Sequence, residues 1–169
     1  MEKCTVYGKP LTSYAAMGPV KSLTQHCVAT PEGMDITAEQ VSRMDIARFG
    51  QVSYHYVILL DGTIVETLPP TLRGAHVGGH NTGSIGISYV GGLDRVTKKP
   101  KDTHTPEQKK AMAKFYTDFM AAHPGAEIKG HRDWSPDLDH DGKIEPNEWI
   151  KACPCFDVKA WIAAGMPLT

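Results

Sequence analysis

The chain has 169 residues, of which 41% are hydrophobic and 22% are charged, and its formal net charge is −1. This length and composition predict one globular domain with a single core and argue against disorder. The near-neutral charge gives no electrostatic basis for binding nucleic acid or an anionic membrane surface. No apolar run has the length of a membrane span, and residues 1–6 lack the apolar core of a signal peptide. We therefore expect cytoplasmic synthesis without a signal peptide.

Strand and helix patterns alternate along the chain without repeats or low-complexity tracts, which predicts an α/β fold: a single domain with a central mixed β-sheet flanked by helices. Capping-box pairs at Thr37 with Gln40 and at Thr105 with Gln108 mark the clearest helix starts. The predicted elements, in chain order, are a strand at 22–29, a helix from Thr37 to Gly50, a hairpin of 54–60 and 63–66 joined by Asp61-Gly62, a strand at 84–90, a helix from Thr105 to about His123, a strand at 127–130 and a helix at 156–164. In the helix from Thr105, helical spacing predicts a core-facing set of side chains: Met112, Phe115, Tyr116, Phe119 and Met120.

The four cysteines are Cys4, Cys27, Cys153 and Cys155. A chain of this size needs no disulfides, and the missing signal argues against an oxidising compartment, so we expect free thiols. Cys27 is expected to be a buried core thiol, and Cys155 to start the last helix with no assigned chemistry. Cys153 is interpreted as a metal ligand.

Two histidines complete a possible metal-binding set with Cys153. His26 lies in the first predicted strand, and His131 follows the strand at 127–130. Two imidazoles and one thiolate supply the three protein ligands of a catalytic zinc site, which keeps its fourth position for water. Each residue alone is more often a core or surface residue, so the hypothesis depends on the three occurring together.

Motifs in a fixed order connect these residues to a known family. They are Gln25-His-Cys-Val-Ala-Thr30, Val52-Ser-Tyr-His-Tyr-Val-Ile58 with Asp61-Gly-Thr63, Gly74-Ala-His76, Asn81-Thr-Gly-Ser-Ile-Gly-Ile87, Gly130-His-Arg-Asp133 and Lys151-Ala-Cys-Pro-Cys-Phe-Asp157. From about residue 20 onwards the chain resembles the zinc-dependent N-acetylmuramoyl-L-alanine amidases of the amidase-2 family. That family includes phage lysozyme-type amidases and shares its fold with peptidoglycan-recognition proteins. The resemblance implies a central mixed sheet flanked by helices, with zinc in a surface cleft.

The resemblance also implies roles for individual residues. His26, His131 and Cys153 would bind zinc, which would polarise the amide carbonyl between muramic acid and L-alanine and lower the pKa of its bound water. The Tyr54 hydroxyl would bind the water or the developing oxyanion, and Lys151 would stabilise negative charge in the tetrahedral intermediate. Some family members carry a glutamate general base where this chain has Ser88, so the identity of the base stays open.

A glycine-rich loop with His76, His80 and Asn81 is expected to face the cleft. These side chains offer hydrogen bonds to a stem peptide or sugar, and His76 is the predicted substrate-binding residue. The alternative is a solvated loop without such a role.

Residues 137–148 form an insertion that resembles the calcium loop of an EF-hand. Glycine stands at loop position 6, and oxygen ligands at this spacing favour Ca²⁺ over zinc. The predicted ligands are Asp137, Asp139, Asp141, the backbone carbonyl of Lys143, and Glu148, with Glu145 at position 9. We expect a structural Ca²⁺ ion that orders the insertion and holds Lys151 and Cys153 in place; the alternative is an acidic loop that binds nothing.

The predicted function is zinc-dependent hydrolysis of peptidoglycan between muramic acid and L-alanine by a monomeric enzyme that acts on the cell wall after release or export. A phage or prophage endolysin is the most natural role, while muropeptide recycling and delivery as a toxin stay open. The sequence leaves three other functions open: a non-catalytic peptidoglycan-binding module, a cysteine peptidase with Cys27 or Cys153 as nucleophile, and a calcium-sensing interaction protein.

Overall fold

The computed structural model describes residues 1–168, and its main feature is a six-stranded mixed sheet. The strands follow the order β1-β5-β4-β6-β2-β8, and every neighbouring pair is parallel except β4 with β5. A separate two-stranded sheet pairs β3 with β7. The strands are β1 (Glu2–Lys3), β2 (Ser22–Cys27), β3 (Thr30–Pro31), β4 (Tyr56–Ile58), β5 (Ile64–Glu66), β6 (Ser84–Tyr89), β7 (Gly92–Leu93) and β8 (Glu127–Gly130).

Three α-helices flank the sheet: α1 (Ala38–Phe49), α2 (Pro106–Ala122) and α3 (Val158–Ala163). Both predicted capping boxes form, because the Thr37 and Thr105 side chains accept from the backbone N–H groups of Gln40 and Gln108, whose side chains accept from the caps in return. Helix α1 ends at Gly50 in a left-handed conformation, φ 76°, which glycine adopts without steric cost. Short 3₁₀ helices cover Leu11–Ser13, His131–Trp134 and Pro146–Glu148.

The central strands β2 and β6 are buried along their whole length because helices cover both faces of the sheet. Helices α2 and α3 pack on one face with the largest apolar cluster, in which the Tyr116 hydroxyl donates to Gln25 Oε1 at 2.6 Å. Helix α1 covers the opposite face through Val41, which packs in one cluster with Val57 and Val65. Since side chains alternate along a strand, consecutive residues at the end of β2 point to opposite faces.

The predicted fold class is confirmed, with element boundaries that shift by a few residues. Strand β4 begins at Tyr56, so Tyr54 lies just before it. Within α2, Met112, Tyr116 and Phe119 are buried as predicted, but Met120 is 39% exposed, so its core assignment is wrong. Met120 occupies the edge of the apolar face, where helical spacing alone does not separate buried from exposed positions. No helix in residues 1–168 combines the length and apolar character needed to cross a membrane.

Candidate metal centre and cleft

The three predicted metal ligands meet at the carboxyl ends of the central strands. His26 is the penultimate residue of β2, His131 follows β8 directly, and Cys153 lies in the loop before α3. One potential ligand atom from each lies within 4.8 Å of the others. The rings of His26 and His131 are 4.8 Å apart between centroids, and His26 Nδ1 is 3.8 Å from Cys153 Sγ. Side chains that are distant in sequence therefore converge on one point.

This donor set fits zinc. With Zn–N bonds of about 2.0 Å and a Zn–S bond of about 2.3 Å, tetrahedral coordination separates nitrogen and sulfur by about 3.5 Å. The 3.8 Å between His26 Nδ1 and Cys153 Sγ is close to that separation. Two imidazoles and one sulfur also leave one tetrahedral corner for another ligand.

Hydrogen bonds determine which nitrogen of His26 faces the candidate metal position. His76 Nε2 lies 3.0 Å from the carbonyl oxygen of Ser84, which can only accept, so His76 carries its proton on Nε2. His76 Nδ1 is then an acceptor, and His26 Nε2 donates to it at 2.9 Å. The lone pair of His26 therefore lies on Nδ1, the atom that faces Cys153. Such an outer hydrogen bond orients a ligating imidazole.

The buried imidazoles at this site are held in the neutral form that binds metal. Burial, followed by the neighbouring histidines and Lys151, lowers the pKa of His26 well below 6.5. Burial lowers the pKa of His76 to about 3. For His131, burial and the charge of Lys151 lower the pKa to about 4. Neutral imidazole is the metal-ligating form of histidine.

Hydrogen bonds hold the loop that carries Cys153 against the ends of the neighbouring strands. The Arg132 N–H donates to the Cys153 carbonyl at 2.9 Å, and the Tyr89 hydroxyl donates to the Pro154 carbonyl at 2.7 Å. The Cys27 N–H donates to Cys153 Sγ at 3.2 Å, which fixes the position of that sulfur beside β2. A side chain at Gly130 would meet Pro154 at 2.7 Å, so only glycine lets the loop approach β8.

Tyr54 and Lys151 lie in the same inner part of the cleft as the metal ligands. The ring centroid of Tyr54 is 5.1 Å from that of His26. Burial, and then the charges of Cys153 and Asp45, raise the pKa of Tyr54 well above 10, so its hydroxyl keeps its proton at neutral pH. Lys151 is exposed at the rim of the cleft.

Ser88 is the register partner of His26 on the neighbouring strand β6. The Ser88 side chain is buried, and within residues 1–168 its hydroxyl makes no hydrogen bond of good geometry, although it lies near enough to the Tyr54 hydroxyl to lower the pKa of Tyr54 against the larger effect of burial. Partners in register on adjacent strands project to the same face of the sheet. The structure therefore puts a hydroxyl, without a carboxylate, beside the His26 ring.

The cleft continues outward from the metal centre. An inner cavity of about 330 Å³ and an outer one of about 850 Å³ share His76, His131 and Lys151 in their walls. The outer wall carries a stacked pair, His80 on Trp134, with centroids 4.4 Å apart and planes at 25°. This wall offers a planar surface of the kind that sugars and peptides contact.

His76, the histidine predicted to bind substrate, is buried beside the candidate metal ligand His26. His76 is 8% exposed, and both ring nitrogens are engaged, with His26 and with the Ser84 carbonyl. Asn81 Oδ1 accepts from the His76 and Val77 N–H groups at 2.9 and 2.8 Å, so Asn81 stabilises the loop. Substrate binding by His76 stays a prediction, while its contact with His26 was not anticipated from sequence.

Asp45 is a cleft residue that the sequence did not reveal. It lies on α1 and lines the inner cavity together with Tyr54 and Arg48. Its helical position carried no motif, and its neighbours in space come from other elements. Only the packing of α1 against the sheet brings Asp45 into the wall of the inner cavity that the metal ligands also line.

The acidic insertion folds into a tight loop. Gly142, in the left-handed region at φ 85°, donates its N–H to Asp137 Oδ2 at 2.7 Å. The Glu148 carboxylate is buried and accepts from the N–H groups of Leu138 and Glu145 at 2.8 and 2.9 Å. Two groups have carboxylate oxygens within 4.8 Å of one another: Asp137, Asp139 and Asp141, and Asp139, Glu145 and Glu148.

Comparisons with known proteins agree with this architecture. The N-acetylmuramoyl-L-alanine amidase family matches residues 16–148. An uncharacterized protein of Haemophilus influenzae is 49% identical over 103 residues, which cover 61% of this chain and 88% of that protein. The endolysin of Enterobacteria phage K11 is 30% identical over 145 residues, which cover 85% of this chain and 86% of the endolysin. The solved N-acetylmuramoyl-L-alanine amidase LysC of Clostridium intestinale has a TM-score of 0.71 at 17% identity, covering 98% of this chain and 95% of LysC, which shows a shared fold.

Proposed function

This chain belongs to the N-acetylmuramoyl-L-alanine amidase family, and we propose that it is a zinc-dependent enzyme that hydrolyses the amide between N-acetylmuramic acid and L-alanine in peptidoglycan. The convergence of His26, His131 and Cys153 within 4.8 Å carries the proposal. Zinc held by these residues would act as a Lewis acid on the amide carbonyl and would acidify water.

The residues around the zinc position supply the other parts of amide hydrolysis. Tyr54 keeps its proton, so its hydroxyl can donate a hydrogen bond to the oxygen that becomes negative when water adds to the carbonyl. The Lys151 ammonium at the rim stabilises the same charge. His76 orients His26 through their 2.9 Å hydrogen bond. The outer cleft, with its His80–Trp134 wall, would hold the sugar or the stem peptide.

A cysteine peptidase is the rival that the geometry disfavours. Cys27 is 5% exposed, and the neighbouring Cys153 sulfur, followed by burial, raises the pKa of its thiol far above neutrality. A nucleophilic cysteine needs a lowered pKa. Cys153 lies beside the imidazoles of His26 and His131, as expected for a metal ligand. A zinc chelator such as phenanthroline should abolish hydrolysis, whereas a thiol alkylator should act weakly while zinc covers Cys153.

Peptidoglycan recognition without hydrolysis is the second candidate function. It would need the cleft but not the complete ligand set, and Cys153 completes that set here. Mass spectrometry of digested sacculi separates the two functions. Free stem peptides with L-alanine amino termini would identify the hydrolysed bond, while binding to sacculi without released peptide would establish a recognition module.

Paired substitutions test the separate roles in the proposed site. His26→Ala should lose both zinc and turnover, because it removes a ligand. Lys151→Ala should retain zinc and lose mainly kcat, because the ammonium is needed only for charge that develops during the reaction. Lys110→Ala, on the exposed surface of α2, is the matched control and should behave as the wild type. Equal zinc content and turnover in His26→Ala and the wild type would contradict the ligand assignment.

We also propose that Ca²⁺ binds the 137–148 loop. The carboxylates there repel one another, and burial together with Glu148 and Asp141 raises the pKa of Glu145 to about 7. Within residues 1–168, Asp137 Oδ1 and Glu145 Oε2 are enclosed and have no hydrogen-bond donor of good geometry, and the side chains near them are other carboxylates. A hard cation with oxygen ligands would satisfy these atoms and hold the segment leading to Lys151.

The biological role that best accords with the relatives is cell-wall lysis of the endolysin type. The enzyme would reach peptidoglycan after release or export and would act there as a monomer. Muropeptide recycling and toxin delivery use the same bond and differ in substrate size. Comparing rates on intact sacculi and on soluble muropeptides would separate lysis from recycling.

A further inference from the structure

The candidate site has an unfilled chemical role, that of a proton carrier. Amide hydrolysis requires a group that takes a proton from the attacking water and another proton transfer to the departing amine. Ser88, beside His26, offers a hydroxyl in place of a carboxylate. Among the cleft-lining residues in the described range 1–168, Asp45 is the sole carboxylate.

The placement of Asp45 suits this role. The Thr37 cap and the Gly50 terminus fix the ends of α1, and Asp45 falls on its next-to-last turn, on the wall of the inner cavity. Asp45 Oδ2 is buried and makes no hydrogen bond of good geometry within residues 1–168, although the backbone N–H and hydroxyl of Ser53 lie close enough to lower its pKa. A buried carboxylate oxygen that is incompletely hydrogen-bonded is costly to keep, so its occurrence at a cleft is a functional signal.

Charged and titratable groups surround Asp45 from several elements. Arg48 lies one turn on in the same helix, and Tyr54 approaches from the segment before β4. The same inner cavity is also lined by His26, His76, His131, Lys151 and Cys153. Burial raises the pKa of Asp45 to about 7, although the polar groups of Ser53 and the charge of Arg48 act in the opposite direction. A carboxyl group with such a pKa both accepts and returns protons near neutral pH.

We infer that Asp45 is the catalytic proton carrier of this cleft, an inference that rests on the proposed amidase function. Its carboxylate takes one proton from water as the water oxygen bonds to the amide carbon. The carboxylic acid then gives that proton to the nitrogen as the carbon–nitrogen bond breaks. The products are the lactyl carboxyl group of the sugar, which keeps the second water proton until it ionises to solvent, and the free amino group of the L-alanine stem, and Asp45 returns to its starting state.

The test compares zinc-loaded variants on a soluble muramyl peptide. Asp45→Asn preserves shape and removes the proton acceptor, so kcat should fall by about 10²–10⁴-fold with KM within about twofold. Zinc content and thermal midpoint should match those of the wild type. Glu39→Gln removes a carboxylate from the exposed side of the same helix, where it pairs with Arg43, and should leave all four quantities unchanged.

Chemical rescue supplies a second, independent readout. Asp45→Ala opens space for a small carboxylate, and added formate or acetate should raise its kcat at least about tenfold without affecting Asp45→Asn. Four results overturn the inference: an Asp45→Asn kcat within about threefold of wild type, an effect on KM alone, loss of zinc from the variant, or absence of rescue. If the wild type and Asp45→Asn release stem peptides at the same rate, only the role of Asp45 is refuted. If the wild-type protein releases no stem peptides, the proposed function is refuted as well.

Discussion

Gly86 is the position where one added methyl group tests the link between the sheet and the metal centre. It lies on β6, and a Cβ there would stand 2.8 Å from His76 Cγ and 2.9 Å from His76 Cδ2 and Nδ1. Ordinary carbon contacts are about 3.5–4.0 Å, so the imidazole in Gly86→Ala must move by about 1 Å. Such a shift breaks the 2.9 Å hydrogen bond that orients His26.

The expected magnitude follows from overpacking and from the lost orienting contact. Overpacking a core costs about 1–3 kcal/mol, and for a chain of this size each kcal/mol lowers Tm by about 2–4 °C. Gly86→Ala should therefore melt about 2–12 °C below the wild type. Loss of an outer hydrogen bond to a ligating histidine weakens metal affinity by about 10–100-fold.

Thermal unfolding of the zinc-free protein and zinc competition against a chromophoric chelator measure the two effects separately. Gly78→Ala is the matched control, because a Cβ at Gly78 meets no atom within 4 Å and should change neither quantity. If Gly86→Ala retained the zinc affinity of the wild type while Tm fell, His76 would not orient His26. If both quantities were unchanged, the close packing of Gly86 on His76 would be refuted.

Three further measurements test other parts of the structure. If Ca²⁺ binds the insertion, saturating Ca²⁺ should raise the Tm of the wild type by several degrees and leave the Tm of Asp139→Asn unchanged. Equal Tm shifts in the two proteins would contradict calcium binding by this loop. Burial lowers the pKa of His55 to about 4, against about 6.5 when unfolded, so acidification from pH 6.5 to 4 should lower the free energy of unfolding by about 1.4 kcal/mol per pH unit through this residue. Denaturant titrations of the zinc-free protein at several pH values give the free energy of unfolding at each pH. This free energy should depend less steeply on pH in His55→Gln than in the wild type, and the same pH dependence in both would be contrary evidence. Tyr116→Phe leaves the buried acceptor of Gln25 unpaired and should cost about 1–3 kcal/mol in the same titrations, whereas an unmoved midpoint would show that the bond is not needed.

Sequence patterns predicted the elements that depend on nearby residues. Both capping boxes form because Thr37 and Thr105 bond to N–H groups only three residues away. The Asp61-Gly62 turn and its hairpin follow from the same short range. The core prediction for Met120 is wrong because this residue lies at the edge of the apolar face of α2, where helical spacing alone does not decide burial. The calcium ligands and the monomeric state stay predictions.

The sequence by itself determined the alternation of strands and helices and, through ordered motifs, the family and the residue types available for chemistry. Tertiary structure decided which atoms meet. His26 and Cys153 are 127 positions apart and come within 3.8 Å only because β2 and β8 are adjacent parallel strands whose ends receive the last loop. The inward placement of His76 and of the Asp45 carboxylate depends on packing between elements, and local patterns carry no record of those contacts because the contacting groups lie far apart along the chain.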